Sequence, residues 1–177
     1  MGSGTVGSSA VSCGADIGFL SVDPSEGNLS DVRDPYDVRR FVEAQDGCYE
    51  QVCDELRSGR KLGHWIWFIF PQLSGLGSSP TALRYGISSL AEARAYLAHP
   101  VLGPRLRECA RLLSHIRGRS ITEILGWPDD LKVRSSMTLF AAAADSAAKS
   151  RTDFQAVLDK YYEGRPDTRT LQMLNAG

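Results

Sequence analysis

No apolar run in this chain is long enough to cross a membrane. The longest strongly apolar stretch, Trp65 to Phe70, falls far short of the ~20 residues that a spanning helix needs. No basic segment followed by an apolar stretch opens the sequence, so a secretory leader is not expected. An excess of one charge is also lacking. Lys and Arg total 20 against 21 Asp and Glu, a formal net charge of −1, which argues against a general attraction to nucleic acid or anionic lipid. Cysteine is scarce and has no CxxC spacing among Cys13, Cys48, Cys53 and Cys109. Cys48 and Cys53 would lie about 140° apart around a helix, poor geometry for sharing a metal. A reduced, cytoplasmic protein is the expectation. With three histidines, no HExxH and no acidic calcium loop, neither a metal nor another cofactor is implied.

What remains is an ordinary globular composition. The 177 residues are 42% hydrophobic and 23% charged, which suits one domain with a sizeable core. Residues 1–33 read differently from the rest. Gly and Ser dominate the first dozen positions, and the one apolar cluster is Ile17 to Leu20. Such a segment buries too little to offset its ordering entropy, so it reads as a flexible tail.

Residues 34–177 read as a helical domain. Val38, Phe41, Val42, Gln45, Cys48, Tyr49, Val52 and Leu56 recur every three or four positions and predict one long amphipathic helix over about 35–57. Asp34-Pro35 suits its start and Gly59 its stop. Ser89 with Glu92, and Ser120 with Glu123, have capping-box spacing for two more helices. Further helices are expected over about 102–116, from Asp129 or Asp130 through Phe140, from Thr152 or Asp153 to Gly164, and over about 167–174. His64 to Phe70 is too short and too uniformly apolar for periodicity to decide. No second strand is available to pair with it, which favours a buried helical turn ended by Pro71. The expected fold class is mainly α, a compact single-domain multi-helix fold behind the tail.

The most distinctive stretch is Gly59 to Ser79, GRKLGHWIWFIFPQLSGLGSS. Taken with Phe41-Val-Glu-Ala-Gln45, Glu92 to Leu106, Asp130 to Phe140, Gly164, Asp167 and Thr170-Leu171, it resembles a bacterial family called domain of unknown function 1810, sometimes mislabelled calpastatin. The resemblance covers about residues 34–174. It implies a mainly helical single domain and brings no reaction with it. A more distant likeness to helical domains that process ADP-ribosylated bases is one of fold alone.

The residues themselves suggest where chemistry would sit. Trp65 and Trp67 are either core or a stacking wall for a planar ligand, and the polar residues Lys61, His64 and Gln72 around them fit a small-molecule pocket. His64 is the candidate general acid or base, because imidazole titrates near neutrality; its alternative is a structural anchor. Gly75, Gly77 and Ser79 lie in a loop that can present backbone N–H groups to a phosphate, with Arg84 one turn into the following helix. The Gly-Lys-Ser/Thr ending of a P-loop is missing. Lys132, Ser135 and Ser136 share one helix face, which allows either a Ser–Lys nucleophile or a polar lining. The bland reading bonds both hydroxyls back to carbonyls.

Three functions follow as expectations. The first is a pocket protein, enzyme or sensor, for a phosphate-bearing nucleotide or ADP-ribose-like metabolite. The second is a non-catalytic protein-interaction domain, which requires an exposed apolar patch. The third is a nucleic-acid-associated module using Arg105, Arg107, Arg111, Arg117 and Arg119. The net charge speaks against it, and it requires steeply salt-dependent binding.

Overall fold

The computed structural model describes residues 34–144 and 149–176. The tail over 1–33, with Cys13, lies outside them. Ten helices account for the described architecture: α1 (Arg39–Asp46), α2 (Tyr49–Ser58), α3 (Ile66–Ile69), α4 (Pro80–Arg84), α5 (Leu90–Ala98), α6 (Leu102–His115), α7 (Ile121–Leu125), α8 (Asp129–Ala143), α9 (Lys149–Tyr162) and α10 (Thr168–Ala176). Among the described residues, strand-like pairing is limited to one isolated parallel bridge between Leu73 and Ile87. The mainly helical class is therefore correct. No helix in the described residues is long and apolar enough to cross a membrane.

Two helices stand where the periodicity predicts one over 35–57. The helix stops at Asp46, Gly47 closes it, and Cys48 takes φ −140 before α2 begins. The apolar positions stay in phase through this break, because both segments face the same core. Gly59 then ends α2 with φ 68, a left-handed position that glycine takes without a Cβ penalty.

The predicted start signals at Ser89 and Ser120 are present as hydrogen bonds, whereas α1 begins at Arg39 behind Val38 and not at Asp34-Pro35, and α9 begins at Lys149, ahead of Thr152 and Asp153. Ser120 and Glu123 form a complete capping box on α7. Ser89 caps α5 by accepting from Glu92 N–H, but the Glu92 carboxylate turns to Arg40 and Ser88 instead of closing the box. Ser79 caps α4, with Pro80 in its first turn.

Helices α6 and α8 form the centre. α8 packs on α5, α7, α9 and α10, while α6 packs on α2, α5 and α9. Phe41, Trp65, Phe70, Tyr96, Phe140 and Phe154 are fully buried in the core they share. Each such side chain contributes about 1.5–3 kcal/mol by leaving water. α8 is buried over almost its whole circumference from Val133 to Phe140. Its hydroxyls are therefore inside, and two of the three bond back along the helix: Ser135 to the Leu131 carbonyl and Thr138 to that of Arg134.

The segment 61–70 is placed by two polar anchors. Glu55, buried on α2, accepts from the N–H groups of Leu62 and Gly63 and from the Trp65 indole at 2.7–3.0 Å. Gln45, buried on α1, donates to the Phe68 carbonyl at 2.7 Å and to the Tyr96 hydroxyl at 3.0 Å. A short helix leaves carbonyls without helical partners, and Gln45 satisfies one that water cannot reach.

Candidate functional site

The helical turn α3 divides the aromatic run. Trp65, Ile66, Phe68, Ile69 and Phe70 turn into the core, whereas Trp67 is only half-buried and turns outward. It borders a cavity of about 540 Å³ between the loop 72–79, the first turns of α8 and the start of α10. That volume lies in the range of ordinary small-molecule pockets.

Six of the sequence-selected residues meet there: Trp67, Gln72, Gly77, Ser79, Lys132 and Ser135. Lys132 is fixed on two sides. Its Nζ donates to Asp129 Oδ1 at 2.8 Å and sits 4.2 Å from the centre of the Trp67 ring. One indole face is thus already covered by an ammonium group, a cation–π contact. Asp129 also holds Lys61, whose Nζ lies 2.8 Å from Oδ2, so one carboxylate is shared by two lysines.

The other selected residues stand elsewhere. His64 is exposed and outside the cavity lining. Lys61 is nearly buried, engaged with Asp129, and lies 5.3 Å from the centre of the Trp65 ring. Trp65 is core, its indole N–H held by Glu55. Gly75 takes φ 93 behind the lining, where an added Cβ would meet Met173 of α10 at 3.3 Å. Arg84 is exposed and lies against Tyr85, and its backbone carbonyl accepts from Arg40. Ser136 is fully buried, and its hydroxyl is without a hydrogen-bond partner among the described residues.

The lining also holds residues that were not selected. Asp167 and Arg169 come from the start of α10, Leu76, Ser78 and Ala82 from the loop and α4, Pro128 from just before α8 and Leu131 from its first turn. Asp167 caps α10: its Oδ2 accepts from the Thr170 N–H and hydroxyl at 2.8 and 2.6 Å. Among the described residues, the Arg169 side chain makes one long hydrogen bond, 3.5 Å to the Gly75 carbonyl. The Gln72 amide and the Ser78 hydroxyl form no side-chain hydrogen bond with a described residue.

The polar balance of the cavity therefore favours donors. Lys132 and Arg169 are cations with unused N–H groups, and Gln72, Ser78 and Ser79 add neutral donors. Against them stands Asp167, with one oxygen already engaged. The Ser–Lys arrangement is not assembled, because Lys132 turns to Asp129 and Ser135 to a main-chain carbonyl. No grouping of three or more metal-ligating side chains occurs among the described residues.

Residues 35–174 match the family described as "Protein of unknown function (DUF1810)". The chain belongs to that family. A similar solved structure is the conserved hypothetical protein Rv1873 from Mycobacterium tuberculosis, with 60% sequence identity and a TM-score of 0.76; the match covers 80% of this chain and 99% of that one. No curated protein matches this chain. The cavity lies within the DUF1810 domain, since every lining residue falls between positions 67 and 169.

Proposed function

We propose that this DUF1810 domain binds a small phosphate-bearing molecule, of the nucleotide or ADP-ribose-like class, in the cavity beside Trp67 and Lys132. The observation that carries this reading is the excess of donor groups in one concave site: Lys132 and Arg169 keep unused N–H groups beside the contacts described above, and Gln72, Ser78 and Ser79 join them against one half-free carboxylate, Asp167. An oxyanion is the ligand group that satisfies such a set, and the charge of the part-buried Lys132 strengthens its hold. Binding or sensing is the activity proposed, since no lining hydroxyl is hydrogen-bonded to a lining base among the described residues.

The test is thermal unfolding of the full chain against inorganic phosphate, nucleotides, NAD-related metabolites and ADP-ribose. A ligand at 100 times its Kd adds about 2.7 kcal/mol of stability, a rise of several degrees for a domain of this size. Lys132→Ala and Arg169→Ala are expected to fold and to lose the rise, because Asp129 keeps Lys61 as its partner. A rise that survives both substitutions, or none across the panel, overturns the reading.

A further inference from the structure

Two thiols meet between α2 and α6, and neither lines the cavity. Cys53 lies midway between Tyr49 and Arg57, about one helical turn from each. Both of those residues reach Glu108 of α6. The Tyr49 hydroxyl donates to its Oε2 at 2.8 Å, and Arg57 Nη2 lies 3.8 Å from its Oε1. Glu108 precedes Cys109, so the two contacts bracket Cys53 against Cys109, and the Cys109 thiol donates a hydrogen bond to the Cys53 sulfur. That bond, helped by the Tyr49 hydroxyl and the Arg57 charge, outweighs burial and the Glu108 charge and lowers the Cys53 thiol to about 7. The same bond, together with burial, pushes the Cys109 thiol up. The third described cysteine, Cys48, is placed differently: its thiol donates to the Ala44 carbonyl at 3.4 Å.

Cys53 sits at the margin of the core. Cys109 belongs to the core cluster and Cys53 does not, although both are buried. Its α2 neighbours Tyr49 and Arg57 are half-buried and exposed, and α2 packs mainly on α6. A local opening of that contact admits a molecule as small as hydrogen peroxide. We propose that Cys53 and Cys109 are a peroxide-responsive pair, Cys53 the attacking sulfur and Cys109 the resolving one, that closes to a disulfide across α2 and α6. In the first step the Cys53 thiolate attacks one peroxide oxygen and the O–O bond breaks. The departing hydroxide takes up a proton as water, and Cys53 is left as a sulfenic acid. The Cys109 sulfur, giving up its proton, then attacks the Cys53 sulfur. The S–O bond breaks, and the second hydroxide leaves as water. Two thiols lose two electrons in all, and one peroxide is reduced to two waters. A bond of this kind in a reducing compartment is a transient, signalling one. The inference does not depend on what the cavity binds.

The experiment treats the full, reduced chain with a few equivalents of hydrogen peroxide, blocks the remaining thiols, and reads the products by intact mass and non-reducing peptide mapping. The expected main product has lost two hydrogens, carries the Cys53–Cys109 bond, keeps Cys13 and Cys48 alkylated, and returns to the starting mass on reduction. The same treatment in urea serves as the control, since the unfolded chain should distribute its pairings over all four cysteines. In Cys109→Ser the sulfenic acid at Cys53 has no resolving partner and should be trapped by dimedone, whereas in Cys53→Ser Cys109 should stay a thiol. The wild-type map does not depend on either variant folding. Oxidation confined to Cys13 or Cys48, a native product mixture matching that in urea, or Cys53 and Cys109 both remaining thiols overturns the inference.

Discussion

Replacing Glu55 by alanine removes one carboxylate from four donors at once. Its two oxygens accept from the N–H groups of Leu62 and Gly63, the Trp65 indole and the Gln51 amide, all within 3.0 Å. Trp65 is 1% exposed, so its indole N–H would have no water to turn to, a loss of about 1–3 kcal/mol. Leu62 and Gly63 are more open and can be rehydrated, at about 0.5–1.5 kcal/mol each. The expected destabilisation is about 3–5 kcal/mol, or roughly 10 °C in Tm for a domain of this length. Glu55→Gln keeps one accepting oxygen and should lose about half as much. The charge adds a pH signature. Burial alone would push the Glu55 carboxyl up, but the donors from Gly63, Leu62, Trp65 and Gln51 outweigh it and hold the carboxyl below its ordinary value of 4.5. A carboxyl depressed on folding adds stability above its unfolded-state value and loses it as pH falls through the lower folded-state value. The gap between wild type and Glu55→Gln should therefore be full at pH 7 and narrow below 4.5. Urea unfolding followed by circular dichroism at several pH values measures both effects. A loss under ~1 kcal/mol in Glu55→Ala, or a gap that persists unchanged on acidification, would refute the reasoning.

Arg40 donates to the carbonyls of Tyr36, Asp37, Arg84 and Gly86 and to Glu92, whose side chain is 3% exposed. Arg40→Ala leaves that carboxylate buried and unpaired, an expected loss of about 3–5 kcal/mol by denaturant unfolding that Arg40→Lys should restore only in part. Ser136→Ala removes a buried hydroxyl that bonds to nothing described, so Tm should hold or rise; a fall above ~1 kcal/mol would show a hidden partner. Gly103→Ala places a Cβ 2.1 Å from the Leu97 carbonyl oxygen, whereas at Gly47 it meets nothing within 4 Å. The first should cost more than ~2 kcal/mol and the second should be within ~0.5 kcal/mol of wild type, compared by thermal unfolding.

Much of the helical content was legible because capping residues and apolar spacing act locally. Ser120 and Glu123 needed only each other to mark the start of α7. The α1–α2 break was not legible, since Val38 to Leu56 keeps its spacing across Gly47 and the chain turns without losing phase. At the site, a polar residue beside an aromatic run was a usable signal for Gln72, and the i, i+3 spacing placed Lys132 and Ser135 on one face. Asp167 and Arg169 carried no such mark. Asp167 reads as a helix cap, which it also is, and its place in the cavity depends on packing between segments some ninety residues apart. The exposure of His64 and the sharing of Asp129 between Lys61 and Lys132 are likewise tertiary facts.

The two walls of the cavity hang from a single helix. α8 supplies Leu131, Lys132 and Ser135 directly, and it also fixes the opposite wall. Its Arg134 donates to the carbonyls of Arg165 and Pro166, and its Thr138 hydroxyl accepts from the Asp167 N–H at 2.8 Å. The width between Lys132 and Arg169 thus depends on residues outside the lining, Arg134 and Thr138. A change at Arg134 or Thr138 is expected to shift Asp167 and Arg169 while Lys132, held by Asp129, stays in place. If the cavity binds a ligand as proposed, natural variation or directed evolution at those two positions is expected to retune which ligand fits while every lining side chain stays the same.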